Sequence, residues 1–251
     1  MKISDGRVTA HQGNAEEIQR IEFAYAERDR TLSGTLKRDQ SNPGNQWLKH
    51  EHRRRLEQIL REQFGERLPE CRVLDVGCGY GSLLGWFHEL GIPAENLFGV
   101  DLLANRIEVA RKAYPQFTFV QGNAESSDFS DGSFDVLSAF TVFSSILDSV
   151  MASTVAQTMM RVLKEDGAVV WYDMRYPNPW NRHLRAMTKR QIGELFPEFR
   201  TELESISLLP PIARRLGSST HWTYPALASI PVLRSHYLGL LRPRFSGPDL
   251  P

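Results

Sequence analysis

Three glycines at alternate positions, Gly77, Gly79 and Gly81, follow directly on the apolar run 72–76 and precede the amphipathic stretch 82–90. Strand, glycine turn and helix in that order make a cradle for a nucleotide-like ligand. Glycine adopts dihedrals closed to other residues and lets a ligand approach the backbone. The first N–H groups of the following helix are free to hold polar atoms. Spacing then separates the kinds of cradle. A phosphate-binding loop needs lysine and then Ser or Thr after its last glycine, and here Ser82 and Leu83 follow. A dinucleotide fingerprint needs its third glycine three residues after the second, where this chain has Ser82. A nicotinamide oxidoreductase is disfavoured on that ground.

Further strand-like segments continue the series. Residues 97–101 form an apolar run ending in Asp101, 20 residues after Gly81. An acid at that place accepts hydrogen bonds from ribose hydroxyls in doubly wound nucleotide sites. A third apolar run, 117–121, leads into Gly122, Asn123 and Ala124, and a fourth, 133–140, opens with Asp135 nearby. Residues 161–171 read as a helix end, a turn and a fifth strand.

As one ordered series over about residues 70–175, these segments resemble the class I S-adenosylmethionine (SAM) dependent methyltransferases. Segments 140–148, 171–179, 209–216 and 235–241 also resemble a bacterial small-molecule subgroup of that family. The resemblance implies SAM as cofactor. Asp75, Gly77, Cys78, Gly79 and Gly81 would surround its amino-acid end, Asp101 and Leu102 its ribose, and Asn123 with Ala124 its adenine. The family's third turn usually carries an acid that reads the adenine amino group; Asn123 stands there, with an amide oxygen able to accept the same bond. Phe140 and Thr141, with Phe143 and Ser144, leave the edge after strand four, near the methyl donor's reactive end. Cys78 contributes only backbone in this reading, and no second cysteine or histidine lies at metal-ligand spacing from it.

The implied fold is α/β: a doubly wound, seven-stranded, mostly parallel Rossmann-like sheet with an antiparallel last strand and an N-terminal helical lid. Residues 1–65 would form the lid, with helices over 14–30 and 45–64 and a loop over 33–44. Residues 66–244 would form the methyltransferase domain, with a helix at 189–196, strands at 202–209 and 233–241, and an insertion at about 210–231. Residues 245–251 read as a flexible tail. The 251-residue chain has a formal net charge of zero, so bulk attraction to nucleic acid or membranes is not indicated. No amino-methylating tetrad follows strand four, which also disfavours nucleic acid. The start of the chain has no apolar leader, and no segment approaches the ~20 apolar residues of a membrane span. A cytoplasmic location is expected. A homodimer is left open.

Methyl transfer is a direct displacement that needs the acceptor atom in line at about 3–3.5 Å. An oxygen acceptor must also lose a proton, so a base helps. His183 and His221, expected in loops on the ligand edge, and Asp173, at the end of strand five, are the candidates for it, with His50 a further histidine on the N-terminal helix. The expected reaction is methyl transfer to a small-molecule acceptor, most simply an oxygen of a sugar, glycan precursor or natural-product intermediate. The alternatives are N-methylation of a small molecule and a non-catalytic SAM-binding or interaction protein.

Overall fold

In the computed structural model, which describes residues 6–31, 39–126, 128–178 and 181–244, seven strands form one sheet. They are β1 (Val73–Val76), β2 (Leu97–Asp101), β3 (Thr118–Gln121), β4 (Phe134–Phe140), β5 (Leu163–Met174), β6 (Phe199–Leu208) and β7 (Arg234–Pro243). Their order is β3-β2-β1-β4-β5-β7-β6. β7 runs antiparallel to β5 and β6, and the other pairings are parallel. The strand order reverses between β1 and β4. In open α/β sheets the crevice beyond the C-terminal ends at that point is where ligands sit.

Around the sheet lie α1 (Gly6–Arg30), α2 (Pro43–Phe64), α3 (Ser82–Glu89), α4 (Ala104–Ala113), α5 (Ser149–Val162), α6 (Lys189–Leu195), α7 (Pro210–Ala213) and α8 (Thr220–Ala228). Strand side chains alternate between faces, so β1 sends Leu74 and Val76 one way and Val73 the other. The first face buries Leu137 and Trp171 against Met151, Val155 and Met159 of α5 and Ile21 of α1. The second buries Val136, Val170 and Leu238 under Leu56, Leu60 and Phe64 of α2 and Leu84 and Phe87 of α3. All four β1 residues are buried, as a strand covered on both faces requires.

The two N-terminal helices therefore serve opposite faces. α2 is a core helix. Asn42 caps it by accepting from the Gly44 and Asn45 amides, Pro43 occupies its first turn, and Gly65 closes it at φ 54°. α1 instead lies over the C-terminal edge of the sheet. Its anchor is Glu17, which accepts hydrogen bonds from the amides of Leu147 (2.5 Å) and Asp148 (3.2 Å) and from Arg20 Nε (2.6 Å). Arg20 Nη2 in turn donates to the Ser145 carbonyl at 2.5 Å.

Burial pushes the Glu17 carboxyl up, but the Arg20 hydrogen bond and the two amides outweigh it and hold it below the usual carboxylate range. A depressed pKa stabilises the docked helix above the ordinary glutamate pKa, and that support is lost as pH falls through the folded value. Glu17→Ala is expected to weaken docking by ~2 kcal/mol, the cost of stranding buried amides. Hydrogen exchange over residues 17–30 at neutral pH should then quicken by about 30-fold relative to the unaltered chain, which should itself lose the same protection in acid. Unchanged exchange in Glu17→Ala would show that other contacts hold α1.

Several boundaries differ from the sequence reading. α1 begins at Gly6 rather than 14, β6 begins at Phe199 rather than 202, and β7 continues to Pro243. The insertion folds as α7 and α8, which bury Ala213, Tyr224 and Ala228 beside Leu48 and Leu208. His221 consequently lies in helix α8, not in a loop. Residues 33–38 of the expected loop and the tail 245–251 lie outside the described residues.

Candidate active site

The crevice at the strand reversal holds a cavity of about 210 Å³. Gly77 of the glycine turn lines it, with Asp101 and Leu102 after β2, Asn123 and Ala124 after β3, and Phe140 and Thr141 after β4. All seven were expected at the cofactor from sequence. Asp75, Cys78, Gly79 and Gly81 lie behind them. Gly77 and Gly79 have φ of 70° and 53°, which a side chain would strain. A Cβ on Gly77 would meet Val142 Cγ2 at 2.8 Å, whereas one on Gly79 would meet nothing within 4 Å. The turn thus presents open backbone at Gly79.

Asp101 is fixed by that turn. Its Oδ2 accepts from the Gly79 amide and its Oδ1 from the Leu103 amide, each at 2.8 Å. Carboxylate oxygens hold more than one bond apiece, so both can still receive hydroxyl donors. Asp75 is buried beneath the turn and accepts a 2.6 Å bond from Ser138 Oγ. Desolvation, only partly offset by Ser138, pushes its carboxyl up to about 7, with Asp101 adding to the rise. Cys78 turns its sulfur against Gly99, and burial raises its thiol, as an inert packed cysteine requires. Gly81 packs on Phe119 and Tyr114. Asn123 Oδ1 accepts from the Glu125 amide at 3.1 Å, and its Nδ2 donates to the Glu125 carboxylate.

Helix α1 roofs the cavity with Ile21, Tyr25 and Arg28. The Tyr25 hydroxyl meets Ser145 Oγ at 2.8 Å. The guanidinium groups of Arg28 and Arg106 each lie 4.3 Å from the Tyr25 ring centre. Arg106, from α4, is 7% exposed, and its Nε is buried without a hydrogen bond. Its Nη2 reaches Asp29 at 3.7 Å. Burial, with Arg106 adding to it, lowers Arg28 against the opposing pull of Tyr25 and Asp29. An orphaned guanidinium nitrogen in a cation-rich wall suits a ligand carboxylate. The cavity wall thus combines a carboxylate, an amide side chain and two guanidinium groups.

Phe140 joins the cavity to an aromatic stack. Its ring lies on Tyr172 of β5 at 5.1 Å, and Tyr172 lies on His236 of β7 at 4.7 Å with an interplanar angle of 3°. His52 of α2 closes the group, 6.1 Å from Phe140 and 5.3 Å from Tyr172. The Tyr172 hydroxyl bonds Ser207 Oγ at 3.0 Å, while Glu51 Oε2 accepts from the Ser207 amide and the Tyr224 hydroxyl. Thr141 and Ser207, flanking this stack, are the non-glycine residues with positive φ among those described. Such strain persists where surrounding bonds over-determine it and gathers at functional sites.

The three residues expected as bases lie elsewhere. His183 faces α1, with Nε2 3.6 Å from Glu27 and its ring 6.4 Å from Phe23. His221 packs 5.8 Å from Trp47. Asp173 is buried, accepting from the Ser144 amide at 2.9 Å and the Met174 amide at 2.8 Å, and desolvation pushes it up to about 6. Its oxygens hold the turn after β4 in place. His50 is exposed on α2. Sequence reading missed His52, Arg28 and Arg106. His52 did leave a signal, because it sits four residues from both Leu48 and Leu56 on the buried stripe of α2.

Comparison with known proteins agrees with this geometry. A methyltransferase-domain family model matches residues 73–167. The demethylmenaquinone methyltransferase of Chlorobaculum tepidum is 41% identical over 75 residues, 30% of this chain and 29% of that protein. The enzyme of the same name from Lactococcus lactis is 32% identical over 115 residues, 44% of each chain. The chain thus spans less than half the length of these curated relatives. The Burkholderia thailandensis 1,6-didemethyltoxoflavin-N1-methyltransferase, solved with 1,6-didemethyltoxoflavin and S-adenosylhomocysteine, shares the fold at TM-score 0.59 and 17% identity, covering 98% of this chain and 93% of that one. Residues 73–167 thus match the methyltransferase-domain family, and the sheet order and glycine cradle of the chain agree with that match.

Proposed function

We propose that the chain transfers the methyl group of SAM to a planar, ring-bearing small molecule. The observation that carries the reading is Phe140, which lines the cofactor cavity and also begins the aromatic stack beyond it. Bound SAM supplies an electrophilic methyl on sulfur. The chain's own residues do the rest by placement. Asp101 orients the ribose, Arg28 and Arg106 receive the carboxylate, and Asn123 and Ala124 border the adenine. α1 excludes water from above. Flat aromatic walls favour a flat acceptor through offset stacking. Relatives point the same way, since the enzymes matched in sequence are named for demethylmenaquinone. The relatives' names give no support to the sugar oxygen expected from sequence.

The experiment is calorimetric titration with S-adenosylhomocysteine and NAD, then incubation with methyl-labelled SAM and three acceptor sets: hydroquinones, aromatic amines and free sugars. Adenosyl binding without NAD binding, and label in a ring acceptor, is the expected result. Label confined to sugars would overturn the ring assignment, and absence of adenosyl binding would overturn methyl transfer altogether.

A further inference from the structure

We propose that the aromatic group formed by Phe140, Tyr172, His236 and His52 borders the acceptor site, and that His52 takes the acceptor's proton as the methyl arrives. The proposal rests on the methyl-transfer reading and extends it to a residue on a core helix. Three observations converge on it. Phe140 lines the cofactor cavity and joins it to this aromatic group. Tyr172 stacks between Phe140 and His236, which makes a continuous flat aromatic wall beside that cavity. His52 occupies a stripe otherwise filled by Leu48, Leu56 and Leu60, where an imidazole has no packing advantage over leucine.

The hydrogen bonds leave His52 available. Its Nδ1 is buried without a bond of normal geometry. Lys49 and Arg53 on its own helix, and His236 and Tyr172 on the sheet, are the titratable groups around it. Burial, with only a partial offset from the Leu48 carbonyl, pushes His52 down to about 4, and the two neighbouring cations add to the fall. Burial likewise pushes His236 down to about 3, with its Nδ1 held by Ser235 Oγ at 2.7 Å. Both rings are neutral at pH 7. Neutrality matters beside a sulfonium, because an imidazolium there would repel the cofactor.

A weak base suffices for the step. The carbon–sulfur bond breaks with its electron pair going to sulfur, which becomes the thioether. The acceptor atom forms the new bond to carbon, and its own hydrogen turns strongly acidic only then. That proton passes to His52 Nε2, giving an imidazolium that returns it to water after the neutral thioether is left. No other reagent enters.

The test uses the full chain saturated with S-adenosylhomocysteine and two probes, 2-naphthol and 2-methoxynaphthalene, which differ in the transferable O–H. The unaltered chain should bind 2-naphthol at least tenfold more tightly, with the imidazole resonances of His52 and His236 shifting as binding saturates and that of His88 unmoved. His52→Leu should bind both probes alike while keeping its affinity for S-adenosylhomocysteine; His52→Phe serves if the leucine variant fails to fold. A preference that survives the substitution, saturable binding that moves neither imidazole, or no saturable binding overturns the proposal. Failure of S-adenosylhomocysteine to bind the unaltered chain would instead sink the methyl-transfer reading beneath it.

Discussion

Asp101→Ala is expected to weaken S-adenosylhomocysteine binding by at least 100-fold in titration calorimetry. Two backbone amides, from Gly79 and Leu103, fix the carboxylate before any ligand arrives. Little ordering cost then remains when the ribose hydroxyls engage it. A hydrogen bond to a charged group contributes ~1.5–3 kcal/mol, so two of them lost amount to about 3 kcal/mol or more, which is the stated factor. The variant also releases the Gly79 amide, loosening the turn against which the amino-acid end would lie. Asp101→Asn keeps one acceptor oxygen and should fall between the two. Affinity within threefold of the original, in an alanine variant whose circular dichroism is unaltered, would remove Asp101 from ligand contact.

Trp171→Ala is expected to lower stability by ~3–5 kcal/mol, read from the urea midpoint, as for large aromatic deletions in a packed core. Trp171 is fully buried, stacked 4.9 Å from Phe143 and edge-on to Phe196 at 6.1 Å. Its removal strips both rings of their common partner. Trp171→Phe should cost distinctly less. The indole Nε1 is buried without a hydrogen bond, so a residue lacking that donor sheds a penalty along with some area. Equal losses in the two variants would mean that the ring's polar atom has a partner after all. The damage should reach the site, because Phe143 adjoins the turn that Asp173 secures through the Ser144 amide.

The cavity wall expected to hold the methyl donor was legible in the sequence because it is local. Gly77, Gly79 and Asp101 sit at strand ends, and a strand end beside a glycine turn states its own position. Asp75 was read as a cofactor contact on the same logic, and it does sit at that edge, but one pleat beneath the cavity with Ser138 as its partner. The proposed acceptor half is not local. His52, Tyr172 and His236 meet only because α2 lies across the second face and β7 returns antiparallel to β5. No spacing along the chain encodes that meeting. His221 illustrates the opposite error. Its segment is rich in loop-forming residues, yet the buried Tyr224 three positions on gives the helix a packing anchor that outweighs Pro225.

The roof formed by α1 sets how the enzyme would keep time. A cavity of about 210 Å³ is smaller than the ~300–1,000 Å³ of most small-molecule sites, and Ile21, Tyr25 and Arg28 of α1 form part of its wall. On the methyl-transfer reading, a cofactor that passes beneath α1 does so when Glu17 lets go of the Leu147 and Asp148 amides. Turnover would then be paced by how often a single carboxylate releases a helix, and a weaker latch would make a faster but leakier machine.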